Sequence, residues 1–253
     1  MKNIIRRTAA ALLAGTLMMS GSVGAFAEQT EDTAENIVLP SGLELDEVLG
    51  NISDEMSEEY SDDLEDASLG AASYAIFRGD EVIASGSYGY TDYKNHTPVD
   101  ENSVFEWGSI SKTMIWVSAM QLWEQGKLDL DRDVREYLPD GFFSNLSYDE
   151  PITMINLMNH DAGWCETTRN IWYEDDDEIP SLKEALQSIE PAQVTRPGER
   201  VAYSNYGAAV AGYVIECVSG TDYLEYVHKN IFEPLGMEHT ALAPDHSDNE
   251  WVY

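Results

Sequence analysis

Ser109 and Lys112 stand three residues apart in the stretch Phe-Glu-Trp-Gly-Ser-Ile-Ser-Lys-Thr-Met, residues 105 to 114. On a helix that spacing is just under one turn, so a hydroxyl and an amine share a face within hydrogen-bonding reach. A serine hydroxyl is a poor nucleophile until a neighbouring base takes its proton, and a desolvated lysine serves as that base or tunes it. The chemistry such a pair supports is acyl transfer: attack on a carbonyl, a covalent acyl-enzyme, and release to water or another acceptor. Residue type alone allows duller readings beside this one. A serine here also fits a helix N-cap, and lysine is usually a solvated surface residue. Short patterns recur by chance, so the weight falls on what accompanies this one.

The pair needs a scaffold, and the surrounding sequence supplies one. Met114, Val117, Ala119, Met120 and Leu122 give apolar surface to a helix predicted over residues 109–125, with Gly126 as its stop. At the start of that helix, unsatisfied N–H groups and the helix dipole favour developing negative charge. Upstream, Ala72–Arg78 and Val82–Tyr90 read as two strands joined through Gly79-Asp80 as a hairpin. Farther upstream, Leu45, Val48, Leu49, Ile52, Met56, Tyr60 and Leu64 recur at helical spacing, with a strongly acidic, solvated opposite face. Pro139, Pro151, Pro180, Pro191 and Pro197 punctuate a middle region of short helices and loops. A helix from Gly207 to Val218 ends at Gly220, and another spans Asp222 to Ile231. The expected class is therefore α/β (α+β), with a helical region inserted after the nucleophile helix.

The companion to Ser109 and Lys112 is Tyr203-Ser204-Asn205. By type alone Tyr203 is as well an ordinary core aromatic, and Asn205 a turn residue. Around them stand Gly-Lys-Leu-Asp-Leu at 126–130, Asn-His-Asp-Ala-Gly at 159–163, Arg-Pro-Gly-Glu at 196–199, Tyr-Ser-Asn-Tyr-Gly at 203–207 and Pro-Leu-Gly-Met at 234–237. In this ordered set the chain resembles the serine β-lactamase/penicillin-binding-protein superfamily, in its class C-like branch. The resemblance covers residues 71 to 241, roughly. It implies an antiparallel sheet flanked by helices, packed against a mostly helical domain with the active site between them. It implies Ser109 as nucleophile and Lys112 as a partly buried amine beside it. Tyr203 is then the phenol that shares the proton of Ser109 and returns it to the leaving group, and Asn205 binds the substrate carbonyl and the lysine. His160, matching a His-Thr-Ser-Gly-like segment, takes a structural role. No cofactor is implied. The substrates are small molecules or peptidoglycan peptides with an amide, ester or β-lactam bond.

The chain departs from that family after Asn205. Relatives carry a third motif, Lys-Thr-Gly or His-x-Gly, on a strand well over a hundred residues beyond the tyrosine motif. Only 48 residues follow Asn205, and none forms such a motif on a credible strand. The expectation is an incomplete hydrolase domain over residues 43–253, lacking its C-terminal strands, and a 253-residue chain inactive or poorly folded by itself. A second reading of another class follows: a noncatalytic penicillin-recognising or envelope-binding module. An acidic secreted interaction protein with an accidental Ser-x-x-Lys is the poorest of the three.

Composition bounds partners and compartment. Residues 1–27 read as a secretory signal peptide: basic Lys2, Arg6 and Arg7, an apolar stretch from Ala9 to Met19, and Ala25-Phe26-Ala27 as cleavage site. No segment is a credible membrane span, so the expected location is secreted or at the cell envelope. Residues 28–42 read as an acidic linker. The formal net charge is −33, and loss of the leader makes it −36. Fifteen acidic residues and no Lys or Arg lie between Glu28 and Asp66. Such a charge opposes binding to nucleic acid or an anionic membrane surface. Cys165 and Cys217 make no disulfide framework; Cys217 lies in an apolar helical pattern and reads as a small buried hydrophobe. His96, His228, His239 and His246 form no zinc-like cluster. Glu174 to Glu178 lacks the glycine and spacing of a calcium loop and reads as a solvated surface loop.

Overall fold

In the computed structural model, residues 20–22, 38, 42, 44, 71–79, 81–92, 95–100, 102–166, 180–243, 246–250 and 252 are described. The leader, the helix expected at 45–64, the Glu174–Glu178 run, Trp172 and Tyr173 lie wholly or almost wholly outside those residues. The chain divides into two compact units, a smaller one within Ser22–Phe105 and a larger one containing Glu106–Tyr253.

A three-residue strand β1 (Ser20–Ser22) opens the described chain. The smaller unit is then built on the hairpin anticipated from alternation. Strand β2 (Ala71–Arg78) pairs antiparallel with β3 (Glu81–Asp92), in a register running from Ala71 opposite Gly89 to Arg78 opposite Glu81. Gly79 at the turn has φ +61°, a conformation that L side chains rarely adopt. A short β4 (Thr97–Pro98) pairs on the far side of β3 and completes a three-stranded antiparallel sheet in the order β2-β3-β4. Strand β5 (Val104–Glu106) follows.

The larger unit is mostly helical. A 3-10 turn (Gly108–Ser111) leads into α1 (Lys112–Glu124), so the regular helix begins three residues later than apolar periodicity predicted. The reason is local: Gly108 is at φ +51° and the Ser111 hydroxyl bonds back to the Gly108 carbonyl at 2.6 Å, tightening the first turn. Gly126, at φ +68°, ends the helix as expected. Helices α2 (Met154–Met158) and α3 (Leu182–Ser188) each begin with a reciprocal capping box, Thr153 with Asn156 and Ser181 with Glu184. The central element is α4 (Asn205–Ser219), in which every residue from Tyr206 to Ile215 is buried. A helix apolar on all sides belongs at the middle of a core, and α4 packs on α1, α2, α3 and α5 (Tyr223–Val227). Past α5 the helical run widens into a π turn (His228–Phe232) and ends in α6 (Glu233–Leu235). The last strand, β6 (Thr240–Ala241), pairs antiparallel with β1.

Ile115, Leu122, Ile152, Met154, Leu157, Leu186, Val210 and Val214 form the centre of the core, with Trp164 and Tyr206 its largest members. Trp164 therefore serves packing. Cys217 corrects the sequence expectation: it is exposed on the outward side of the last turn of α4, while the neighbouring Val218 still packs on the core, and both cysteines are free thiols. The architecture is mixed α/β with small antiparallel sheets and a helical unit, as the order of elements implied.

Candidate active site

Three of the four side chains anticipated from sequence, Ser109, Lys112 and Tyr203, meet in the larger unit, at the starts of α1 and α4; Asn205 stands at the start of α4 but bonds to Glu166, not to Lys112 as the resemblance implied. Ser109 sits in the 3-10 turn, where residues i and i+3 eclipse along the axis. Lys112 is the first residue of α1 and is only 4% exposed. Its Nζ donates to Ser109 Oγ at 3.2 Å. The tight turn thus aims a buried amine at an exposed hydroxyl more closely than an α-turn would. Ser109 is not an N-cap, because the turn is entered from Trp107 with no side-chain cap.

Tyr203 arrives from 94 residues away, and its hydroxyl donates to Ser109 Oγ at 2.8 Å. The ring lies 5.1 Å from Lys112 Nζ, within cation–π range. Half the tyrosine is exposed, so the phenol stands at the solvent edge of the site while the lysine stands behind it. Ser204 caps α4, its Oγ accepting from the Gly207 N–H at 3.0 Å. That cap fixes the helix start, with Tyr203 just before it and Asn205 just inside it.

His160 holds this segment from below, a role that local sequence does not display. Its backbone is left-handed, at φ +56°, a region in which histidine is several-fold enriched among non-glycine residues. Its carbonyl accepts from Ala202 N–H at 2.7 Å and its Nδ1 from Ser204 N–H at 3.2 Å. The imidazole lies against the Tyr203 ring at 4.5 Å between centroids, tilted by 34°, with Trp116 edge-on at 6.2 Å. Burial, and then the nearby Lys112 ammonium, push its pKa below the usual histidine value, consistent with a neutral ring accepting at Nδ1. The loop that bears it is held by several contacts. Asn156 Nδ2 donates to Asp161 Oδ1 at 2.9 Å, and buried Gln193 donates to the Ala162 carbonyl at 3.0 Å while accepting from the N–H groups of Ser147 and Tyr148. At Gly163, φ is +92° and an added Cβ would lie 2.1 Å from the Thr195 carbonyl oxygen.

Asn205 gives its backbone N–H and its side-chain Nδ2 to Glu166 Oε2, at 2.9 and 3.1 Å. Its Oδ1 is buried without a hydrogen-bond partner among the described residues. Glu166 lies 39 residues before Asn205, and no motif in the sequence singles it out. Among the described residues, no group of three or more His, Cys, Asp or Glu could hold a metal ion. Nor is any described helix long and apolar enough to cross a membrane.

A buried amine and a phenol converging on one serine, with two helix starts presenting them, is the arrangement anticipated from the two motifs. The sequence profile of the family described as Beta-lactamase matches residues 56–253. The chain belongs to the Beta-lactamase family. It is 31% identical over 167 residues to PbpX of Bacillus subtilis (strain 168), a protein named for penicillin binding, with 66% of this chain and 40% of that protein covered. It is 28% identical over 177 residues to a teichoic acid D-alanine hydrolase of Staphylococcus aureus, covering 70% of this chain and 42% of the relative. The chain thus spans about two fifths of the length of these curated relatives. Among solved structures, the octameric penicillin-binding protein homologue from Pyrococcus abyssi is similar at a TM-score of 0.59 and 25% identity, over 77% of this chain and 43% of that one.

Proposed function

We propose that this family member is an exported serine hydrolase working through an acyl-enzyme on Ser109, with an amide, ester or β-lactam as substrate. The observation that carries the reading is that Lys112 Nζ and Tyr203 OH both reach Ser109 Oγ, at 3.2 and 2.8 Å. Proton transfer by a side chain needs hydrogen-bond reach first and a suitable pKa second. In the first step, Ser109 Oγ bonds to the substrate carbonyl carbon while the Lys112–Tyr203 pair takes its proton. The tetrahedral oxyanion is held by backbone donors, the Ser109 N–H among them. The bond to the leaving nitrogen or oxygen then breaks, and the pair returns the proton to it. Water enters, loses a proton to the same pair, and releases the acid and the serine.

The leader expected at residues 1–27 supports export, and the relative named as a teichoic acid D-alanine hydrolase supports a substrate at the cell envelope. Intact-mass spectrometry after incubation with a neutral fluorophosphonate, and separately with a fluorescent penicillin, tests the reading. A single adduct mapped to Ser109, absent from Ser109→Ala, is the expected result with the fluorophosphonate. A correctly folded protein that forms no such adduct, or forms it in Ser109→Ala as well, overturns the acyl-enzyme. Penicillin labelling tells a β-lactam-accepting site from one that takes only esters or amides. Residue Glu28 at the N-terminus of secreted protein is the outcome expected for export.

A further inference from the structure

His160 takes no part in the proton transfers proposed above, yet it touches the Tyr203 segment at three points. Its carbonyl accepts from the Ala202 N–H at 2.7 Å, its Nδ1 accepts from the Ser204 N–H at 3.2 Å, and its ring lies 4.5 Å from that of Tyr203. The carbonyl bond does not depend on the charge of the ring. The Nδ1 bond does. A neutral imidazole offers a lone pair at one nitrogen, whereas an imidazolium carries N–H on both and accepts nothing. Protonation therefore sets an Nδ1–H against the Ser204 N–H, two donors facing each other at a serine only 4% exposed. A buried donor that loses its acceptor is costly, and the segment relieves the conflict by moving away. Tyr203 lies between the two bonded residues, and its hydroxyl stands 2.8 Å from Ser109 Oγ. A shift of about 1 Å takes the phenol out of hydrogen-bond reach.

The groups around the ring set when this happens. Burial opposes a proton on His160 most strongly, and Lys112 on α1 opposes it next. Glu166, from the segment that meets the start of α4, acts in the opposite direction. Asp161, the next residue in the chain, has its Oδ1 engaged by Asn156 Nδ2 at 2.9 Å. The net direction is a pKa below the ordinary histidine value, so the ring is neutral at pH 7, as an approximate reference, and charges in acid.

We infer that His160 is a positioning residue and an acid-sensitive clamp on Tyr203: the neutral ring holds the phenol at Ser109 Oγ, and its protonation releases the phenol and reversibly silences the enzyme. The inference rests on the Ser109 acyl-enzyme reading and adds control by pH to it.

The test is the second-order rate of Ser109 labelling by a neutral fluorophosphonate between about pH 5 and 7.5, in the full chain and in His160→Asn. Circular dichroism confirms the fold at each pH. Asparagine suits the left-handed backbone and presents an oxygen that accepts from Ser204 at every pH. The wild-type rate is expected to fall about tenfold per pH unit below the folded His160 pKa, because only the neutral fraction is competent, and to recover on return to neutral pH. The ratio of wild-type to variant rate should fall with it. Titration of the Lys112–Tyr203 pair would act on both proteins alike, and a merely structural His160 would change the rate by one factor at all pH. A ratio that stays flat overturns the inference. Should His160→Asn not fold, NMR titration of the wild-type His160 ring decides: its midpoint must coincide with that of the labelling rate, and a separation of more than about one pH unit overturns the inference. A folded wild type that is not labelled at Ser109 at any pH overturns the acyl-enzyme itself, and the inference with it.

Discussion

The serine at position 109 gains its character from two atoms that the chain brings to it, and each contact has its own consequence. Tyr203→Phe removes the hydroxyl 2.8 Å from Ser109 Oγ but keeps the ring on His160. A loss in kcat of about 10²–10⁴ is expected, the usual worth of a positioned acid or base. Because the tyrosine is half exposed, urea unfolding should move by less than about 1 kcal/mol. His160 makes a separate statement about pH. Its pKa is depressed in the folded protein, so the unfolded chain binds a proton first as pH falls. The stability from neutral His160 is therefore full above its unfolded pKa, about 6.5, and is lost as pH drops from there towards the lower folded value. Thermal unfolding between pH 7.5 and 5, as approximate bounds, should show a shallower fall in His160→Asn than in the wild type. Asparagine tolerates the left-handed backbone and offers an oxygen to the Ser204 N–H, so the variant is expected to fold.

At the scale of elements, the site depends on two helix starts and one loop. The loop from Asn159 to Gly163 sets His160, and it passes the 195 region so closely that a side chain at 163 has no room. Gly163→Ala combines a disfavoured φ of +92° with a 2.1 Å clash against backbone. Destabilisation of at least about 2 kcal/mol is expected, the sum of modest strain and overpacking costs. A midpoint shift in urea unfolding measures it, and an unchanged midpoint would mean that the 163 and 195 segments separate easily. Much at this scale was legible beforehand. Gly126 and Gly220 end helices where their lack of a Cβ predicted, and the β2–β3 hairpin turns at Gly79. The start of α1 was misplaced because periodicity does not register a hydroxyl bonding back to the Gly108 carbonyl. Cys217 is exposed because it lies on the solvent side of a turn whose other side, at Val218, still packs on the core, and an apolar residue type does not say which side it takes.

For the molecule as a whole, charge is the dominant feature: 47 acidic residues against 14 Lys and Arg. Repulsion of this size favours solubility at neutral pH and vanishes where carboxylates protonate. A solubility minimum close to the sequence pI of 4.1 is expected in a turbidity titration, and a flat profile through that region would contradict it.

Sequence alone placed Ser109 and Lys112 within reach of each other, because they lie within one turn and local geometry carries a three-residue spacing intact. The ordered motifs that surround them were enough to point to the family. The resemblance put Tyr203 beside Ser109, but tertiary structure decided the contact itself and the unforeseen place of Glu166. The Tyr203 phenol crosses 94 residues to Ser109, and Glu166 finds Asn205 across 39. Contacts of that separation are set by how helices pack around α4 and how a left-handed histidine holds a loop, and neither leaves a periodic trace in the chain.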